Sequence, residues 1–93
     1  MATLTSRVDT RDGEFRRRHE RMESLVAELR ERTALVARGG SAAAMERHRS
    51  RGKLPARERV DRLVDPGTSF LELGALAAWE IYDGAAPSAG IVT

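Results

Sequence analysis

Phe15, Met22, Leu29 and Val36 recur every seven residues, with Leu25 and Val26 between them. That spacing lines all six along one narrow stripe of an α-helix; a strand would need apolar residues at every second position. The pattern predicts a helix from Asp12 or Gly13 to about Arg38. Its other faces carry Arg16, Arg17, Arg18, Glu20, Arg21, Glu23, Glu28, Arg30, Glu31 and Arg32. Pairs such as Glu28 with Arg32, one turn apart, add about 0.2–0.5 kcal/mol each to an exposed helix. Arg18 and Arg32 fall at the second apolar position of the seam, which argues against a coiled-coil dimer. The stripe reads instead as a seam docked on a larger body.

Little else in the first half can build a core. Only Phe15, Phe70, Trp79 and Tyr82 are aromatic among 93 residues, and three of them lie in the last quarter. A chain of this length buries only about 60–65% of its unfolded surface. The absence of cysteine excludes disulfides and thiolate metal sites. His19 and His48 lie far apart and show no metal-ligand spacing. No apolar run approaches the roughly 18–20 residues of a membrane span, and residues 1–10 lack the apolar core of a signal peptide. These features predict a soluble, intracellular protein that does not engage membranes.

Fifteen arginines and one lysine face fourteen acids, leaving a net charge of +2. The two signs are interleaved, with no one-sided basic face carrying aromatics, so a nucleic-acid binder is not expected. Residues 1–11 read as a disordered leader. Gly39-Gly40 ends the first helix, since glycine accepts the left-handed cap conformation. Ser41 is a fitting N-cap for a second helix, Ala42 to about Ser50. Gly52 stops that helix, and Pro55 suits the first turn of a third, running to about Val64 with Val60, Leu63 and Val64 on its buried face. Asp65-Pro66-Gly67 signals a turn. Beyond it the period changes. Phe70, Leu71 and Leu73 around Glu72 read as a short strand, Trp79–Tyr82 as a second extended segment, and Ile91-Val92-Thr93 as the opening of a third. That last opening has no partner in view, which predicts a polypeptide continuing past Thr93.

No nucleophile, acid–base pair or metal cluster stands out, and no glycine pattern meets the phosphate-loop or dinucleotide templates. Glu72 reads as a rim carboxylate alone in an apolar strand, and His48 as a surface histidine. The basic cluster Arg47, Arg49, Arg51, Lys53, Arg57 and Arg59 is denser, with only Glu46 and Glu58 close by. Beside a helix start near Pro55 it has the means to hold a phosphate, through free N–H groups, guanidinium forks and one ammonium. The competing reading is that these cations pair with acids elsewhere in the protein.

Several short motifs in fixed order carry a family resemblance: Gly39-Gly40, Arg51-Gly52-Lys53-Leu54, Ala56-Arg57-Glu58-Arg59-Val60-Asp61, Asp65-Pro66-Gly67 and Phe70-Leu71-Glu72-Leu73. Over residues 12–93 the chain resembles the carboxyltransferase (β) subunits of biotin-dependent acyl-CoA carboxylases. Ile81-Tyr82-Asp83 and Gly90-Ile91-Val92-Thr93 look most like the 3-methylcrotonyl-CoA branch, with geranyl-CoA carboxylase a close sibling. The resemblance implies an α/β fold: N-terminal helices (12–67) leading into a crotonase-like domain, of which residues 68–93 supply only the first strands. It implies transfer of a carboxyl group from carboxybiotin to an acyl-CoA. The biotin rides on a separate biotin carboxylase/biotin carrier α subunit, the β subunits assemble as a homo-oligomer, and the setting is the bacterial cytoplasm or the mitochondrial matrix. The family's backbone oxyanion turns correspond to positions beyond Thr93, so no catalytic residue is assigned here. Arg51, Lys53 and Arg57 are the expected contacts of the CoA phosphates. Pro55 departs from the family, where a threonine often stands, and the loop Gly84–Gly90 is unusually rich in alanine. The alternative is a non-catalytic helical module that serves assembly.

Overall fold

The computed structural model describes residues 1–93. Three α-helices form in chain order: α1 (Gly13–Ala37), α2 (Ala42–Ser50) and α3 (Ala56–Leu63). Two single-turn 3₁₀ segments follow, Ile81–Gly84 and Pro87–Gly90. The chain divides into two compact units, Met1–Arg30 and Glu31–Thr93, with the boundary inside α1.

In the first unit, residues 1–9 have no regular secondary structure and are exposed. Two Asx-type contacts start the helix: Asp9 Oδ1 accepts from the Arg11 N–H, and Asp12 Oδ1 from the Glu14 N–H. Short side-chain acceptors of this kind satisfy the donors that a helix start leaves open. Arg18 pairs with Glu14, and His19 Nε2 lies 3.1 Å from Glu23 Oε1, each one turn away. Phe15 stacks on His19 with ring centroids 6.0 Å apart. The seam is otherwise open: Met22, Leu25 and Leu29 are exposed.

The second unit begins with the last turns of α1. Val36 is its buried apolar residue, at 5% exposure. Arg32, from the position that broke the seam pattern, lays its guanidinium over the Trp79 ring, 5.0 Å from the centroid. Gly39 terminates α1 with φ +77°, and its N–H donates to the Val36 carbonyl at 3.0 Å. Ser41 caps α2 as expected, its Oγ accepting from the Ala44 N–H at 3.2 Å.

Pro55 stands at the N-cap of α3, one place before the first-turn position assigned to it from sequence, and offers no side-chain cap. The buried face drawn for α3 also needs correcting. Val60 and Val64 are half-buried, but Leu63 is 84% exposed, because α3 ends there and nothing in the chain packs over its last turn.

The expected strands do not form. Phe70–Leu73, Trp79–Tyr82 and Ile91–Thr93 contain no strand, so the structure here is helical rather than α/β. A strand exists only as part of a ladder, and these segments share one backbone hydrogen bond, Leu73 N–H to Thr93 carbonyl at 2.6 Å. Between them the chain coils tightly. Ala78, Glu80, Tyr82, Asp83, Ser88 and Ala89 all have left-handed φ between +51° and +59°, a conformation that costs an L-residue about 1–2 kcal/mol.

Candidate functional site

The basic cluster folds into a pair of short helices joined by Arg51–Pro55. Gly52 makes the turn with φ +73°, and its N–H donates to the Arg49 carbonyl at 2.9 Å. The Lys53 N–H reaches the His48 carbonyl at 3.3 Å. His48, read from sequence as a surface residue, is half-buried; its Nε2 donates to the Leu54 carbonyl at 3.0 Å. Arg59 Nε donates to the same carbonyl at 3.1 Å. A carbonyl has two lone pairs, so Leu54 accepts both and ties α2 to α3.

The cations of the cluster separate into two kinds. Arg49 forks onto Glu58 across the two helices, Nη1 to Oε2 at 3.3 Å and Nη2 to Oε1. The hydrogen bond from Arg49, followed by its charge, holds the Glu58 carboxyl below the usual carboxylate range, and Glu58 raises the guanidinium in turn. Arg57 forks onto Glu72, Nη2 to Oε1 at 2.8 Å and Nη1 to Oε2. The same Nη2 donates to Ser88 Oγ at 3.0 Å, and Ser88 Oγ donates onward to the Ala75 carbonyl at 2.8 Å. Glu72 is therefore not the solitary rim carboxylate expected. Arg51 and Lys53 are exposed, and no ion pair engages either side chain.

The structure thus places the three expected phosphate contacts in different states. Arg51 and Lys53 sit together on the exposed α2–α3 turn, whereas Arg57 points into a half-buried network. That network was missed because its members lie 15 and 31 residues from Arg57, beyond any local spacing. The one available signal was an acid in an apolar run, where burial demands a partner.

A cavity of about 790 Å³ opens beside this network, between the end of α1 with Gly39–Ser41 and the coiled segment Ala78–Ser88. Leu35, Val36, Trp79 and Pro87 form its apolar wall, and Arg38, Glu80 and Asp83 are its charged groups. The Trp79 indole Nε1 is buried and has no hydrogen-bond partner. No group of three or more His, Asp or Glu side chains is placed to hold a metal ion. No helix is long and apolar enough to cross a membrane.

No family model matches the chain. Curated proteins do. A probable methylcrotonoyl-CoA carboxylase beta chain, mitochondrial, of Drosophila melanogaster is 50% identical over 91 residues. The alignment covers 97% of this chain and 16% of the relative. In sequence, the chain matches a segment of the acyl-CoA carboxylase β chains. The methylcrotonoyl-CoA carboxylase beta chain, mitochondrial, of Arabidopsis thaliana is 47% identical over 93 residues, all of this chain and 16% of its own length. The biotin-dependent 3-methylcrotonyl-coenzyme A carboxylase beta1 subunit of Mycobacterium tuberculosis is 58% identical over 69 residues, 74% of this chain and 13% of the relative. The resemblance carried by the motifs, including the lean toward the 3-methylcrotonyl-CoA branch, is borne out by these relatives. This chain spans about a sixth of their length.

Proposed function

We propose that this chain forms the N-terminal part of the carboxyltransferase subunit of a biotin-dependent acyl-CoA carboxylase. The observation that carries the proposal is 47–58% identity to β chains named for methylcrotonoyl-CoA carboxylation in an insect, a plant and a bacterium. The reaction moves a carboxyl group from carboxybiotin to the acyl-CoA. 3-Methylcrotonyl-CoA is the favoured acceptor over propionyl-, acetyl- or geranyl-CoA. Biotin is carried by a separate α subunit, and the β subunits form a homo-oligomer in the bacterial cytoplasm or the mitochondrial matrix.

Within that enzyme, residues 12–67 are a helical outwork and residues 68–93 begin a crotonase-like domain. One feature supports this division. Phe70, Leu71, Leu73, Ile81, Tyr82 and Ile91 are all at least half exposed, a set that a surrounding sheet would cover. Arg51 and Lys53 are the cations available to CoA phosphates, an ammonium beside a guanidinium on an exposed turn. Arg57, expected from the sequence in the same role, pairs with Glu72.

The test is carboxylation by the complete β subunit with its biotinylated partner, offered a panel of acyl-CoAs. The highest kcat/KM is expected with 3-methylcrotonyl-CoA. A preference for another acyl group would overturn the substrate, and no carboxylation of any would overturn the class. Arg51→Ala and Lys53→Ala should each raise the acyl-CoA KM; an unchanged KM in both would remove the phosphate role. A second reading, a non-catalytic assembly module, draws on the exposed apolar seam of Met22, Leu25 and Leu29. It requires the gene to lack glycine-rich oxyanion turns after Thr93.

A further inference from the structure

We propose that Arg57 is a positioning residue, a clip that holds α3 against the segment Glu72–Gly90 and thereby sets where Arg51 and Lys53 stand relative to the acyl-CoA site. The inference rests on the phosphate role proposed for that pair and deepens it.

The geometry closes around Arg57. Both terminal nitrogens of its guanidinium engage Glu72, and one also engages Ser88. The side chains of Arg57 and Glu72 are only 27% and 13% exposed. Ser88, at 3% exposure, is the buried polar residue of the chain. Its hydroxyl uses its hydrogen on the Ala75 carbonyl, which leaves a lone pair to accept from Arg57. Ser88 also holds a left-handed φ of +56°, and such a backbone persists only where its surroundings over-determine it. The neighbouring Ala89 N–H donates to the Ala77 carbonyl at 3.0 Å, locking the same turn. Three separate stretches (α3, residues 72–77 and the turn at Ser88) are thus fixed by one planar fork.

A phosphate reaching Arg57 would have to displace a bidentate carboxylate from a half-buried site. Arg51 and Lys53 face no such competition. The clip therefore orients the cationic turn without touching the ligand, and lysine at position 57 would keep the charge while losing the fork.

Glu72 separates the two roles by the sign of its effect. The experiment uses the complete β subunit with its biotinylated partner and the acyl-CoA. Arg57→Lys and Glu72→Gln are each expected to raise KM several-fold, with kcat little changed and Tm lowered. The two Tm losses should be strongly non-additive in the double variant, since the residues act as one unit. A fall in KM on Glu72→Gln would overturn the proposal, because it would mean that a phosphate ligand had been released. So would Tm losses that simply add. If Arg51→Ala and Lys53→Ala leave KM unchanged, the phosphate reading fails by itself. The Tm coupling of Arg57 and Glu72 then still decides whether the clip exists.

Discussion

Small residues make the sharpest commitments. Gly52 and Gly39 both hold left-handed φ, but their surroundings differ. A Cβ at Gly52 meets nothing within 4 Å, so Gly52→Ala should cost about 1–2 kcal/mol of backbone strain alone. A Cβ at Gly39 would also come within 3.2 Å of Met45 Sδ. Gly39→Ala should therefore cost more than Gly52→Ala in denaturant unfolding of the complete subunit, and the reverse order would refute this account. The Arg49–Glu58 pair makes a pH prediction. Glu58 has its carboxyl pKa lowered in the folded state from the ordinary 4.5. Its contribution is present above that value and is lost as pH falls through the lower, folded one. An acid titration followed by NMR should show amides around Gly52 shifting below about pH 4.5, and Glu58→Gln should abolish that step.

At the scale of elements, α2 depends on its cap. It is nine residues long, too short to be stable by propensity alone. Ser41→Ala removes the acceptor for the Ala44 N–H and should cost about 1 kcal/mol, measured as lost stability of the subunit. Ser41→Asp should restore it. α3 has no such cap, since Pro55 has no side-chain acceptor. What holds α3 instead is side-chain reach: Arg49 to Glu58, His48 and Arg59 to Leu54, and Arg57 to Glu72. Pro55→Thr, which supplies a capping hydroxyl of the family type, should stabilise α3 by a few tenths to about 1 kcal/mol.

For the whole molecule, one apolar residue is buried while Leu63, Leu71, Leu73 and Tyr82 are at least three-quarters exposed. The β chains it matches are about six times its length. In a polypeptide extended to the length of those relatives, residues 68–93 should gain strand signal, read by isotope-edited infrared spectroscopy with label in Phe70–Leu73 and Ile91–Thr93. No added strand signal from Phe70–Leu73 and Ile91–Thr93 in the longer protein would refute the proposed division at Thr68.

The helices, their caps and breaks, and the family resemblance were legible in the sequence because they are local. Periodicity, a serine before an alanine run and glycine at a turn act within a few residues, and α1, α2 and α3 lie within a residue or two of where those signals put them. Three matters were decided only by tertiary structure. Strand-forming composition at Phe70–Leu73 and Ile91–Thr93 produced no strand, since a strand takes its stability from a neighbour in register. His48 and Glu72 proved to be partnered, because the groups they bind come from other elements. Arg57, alike in sequence to Arg51, was drawn into the fold by Glu72 and Ser88. Charge density is a property of the chain, but which charges remain free for a ligand depends on what folding brings beside them.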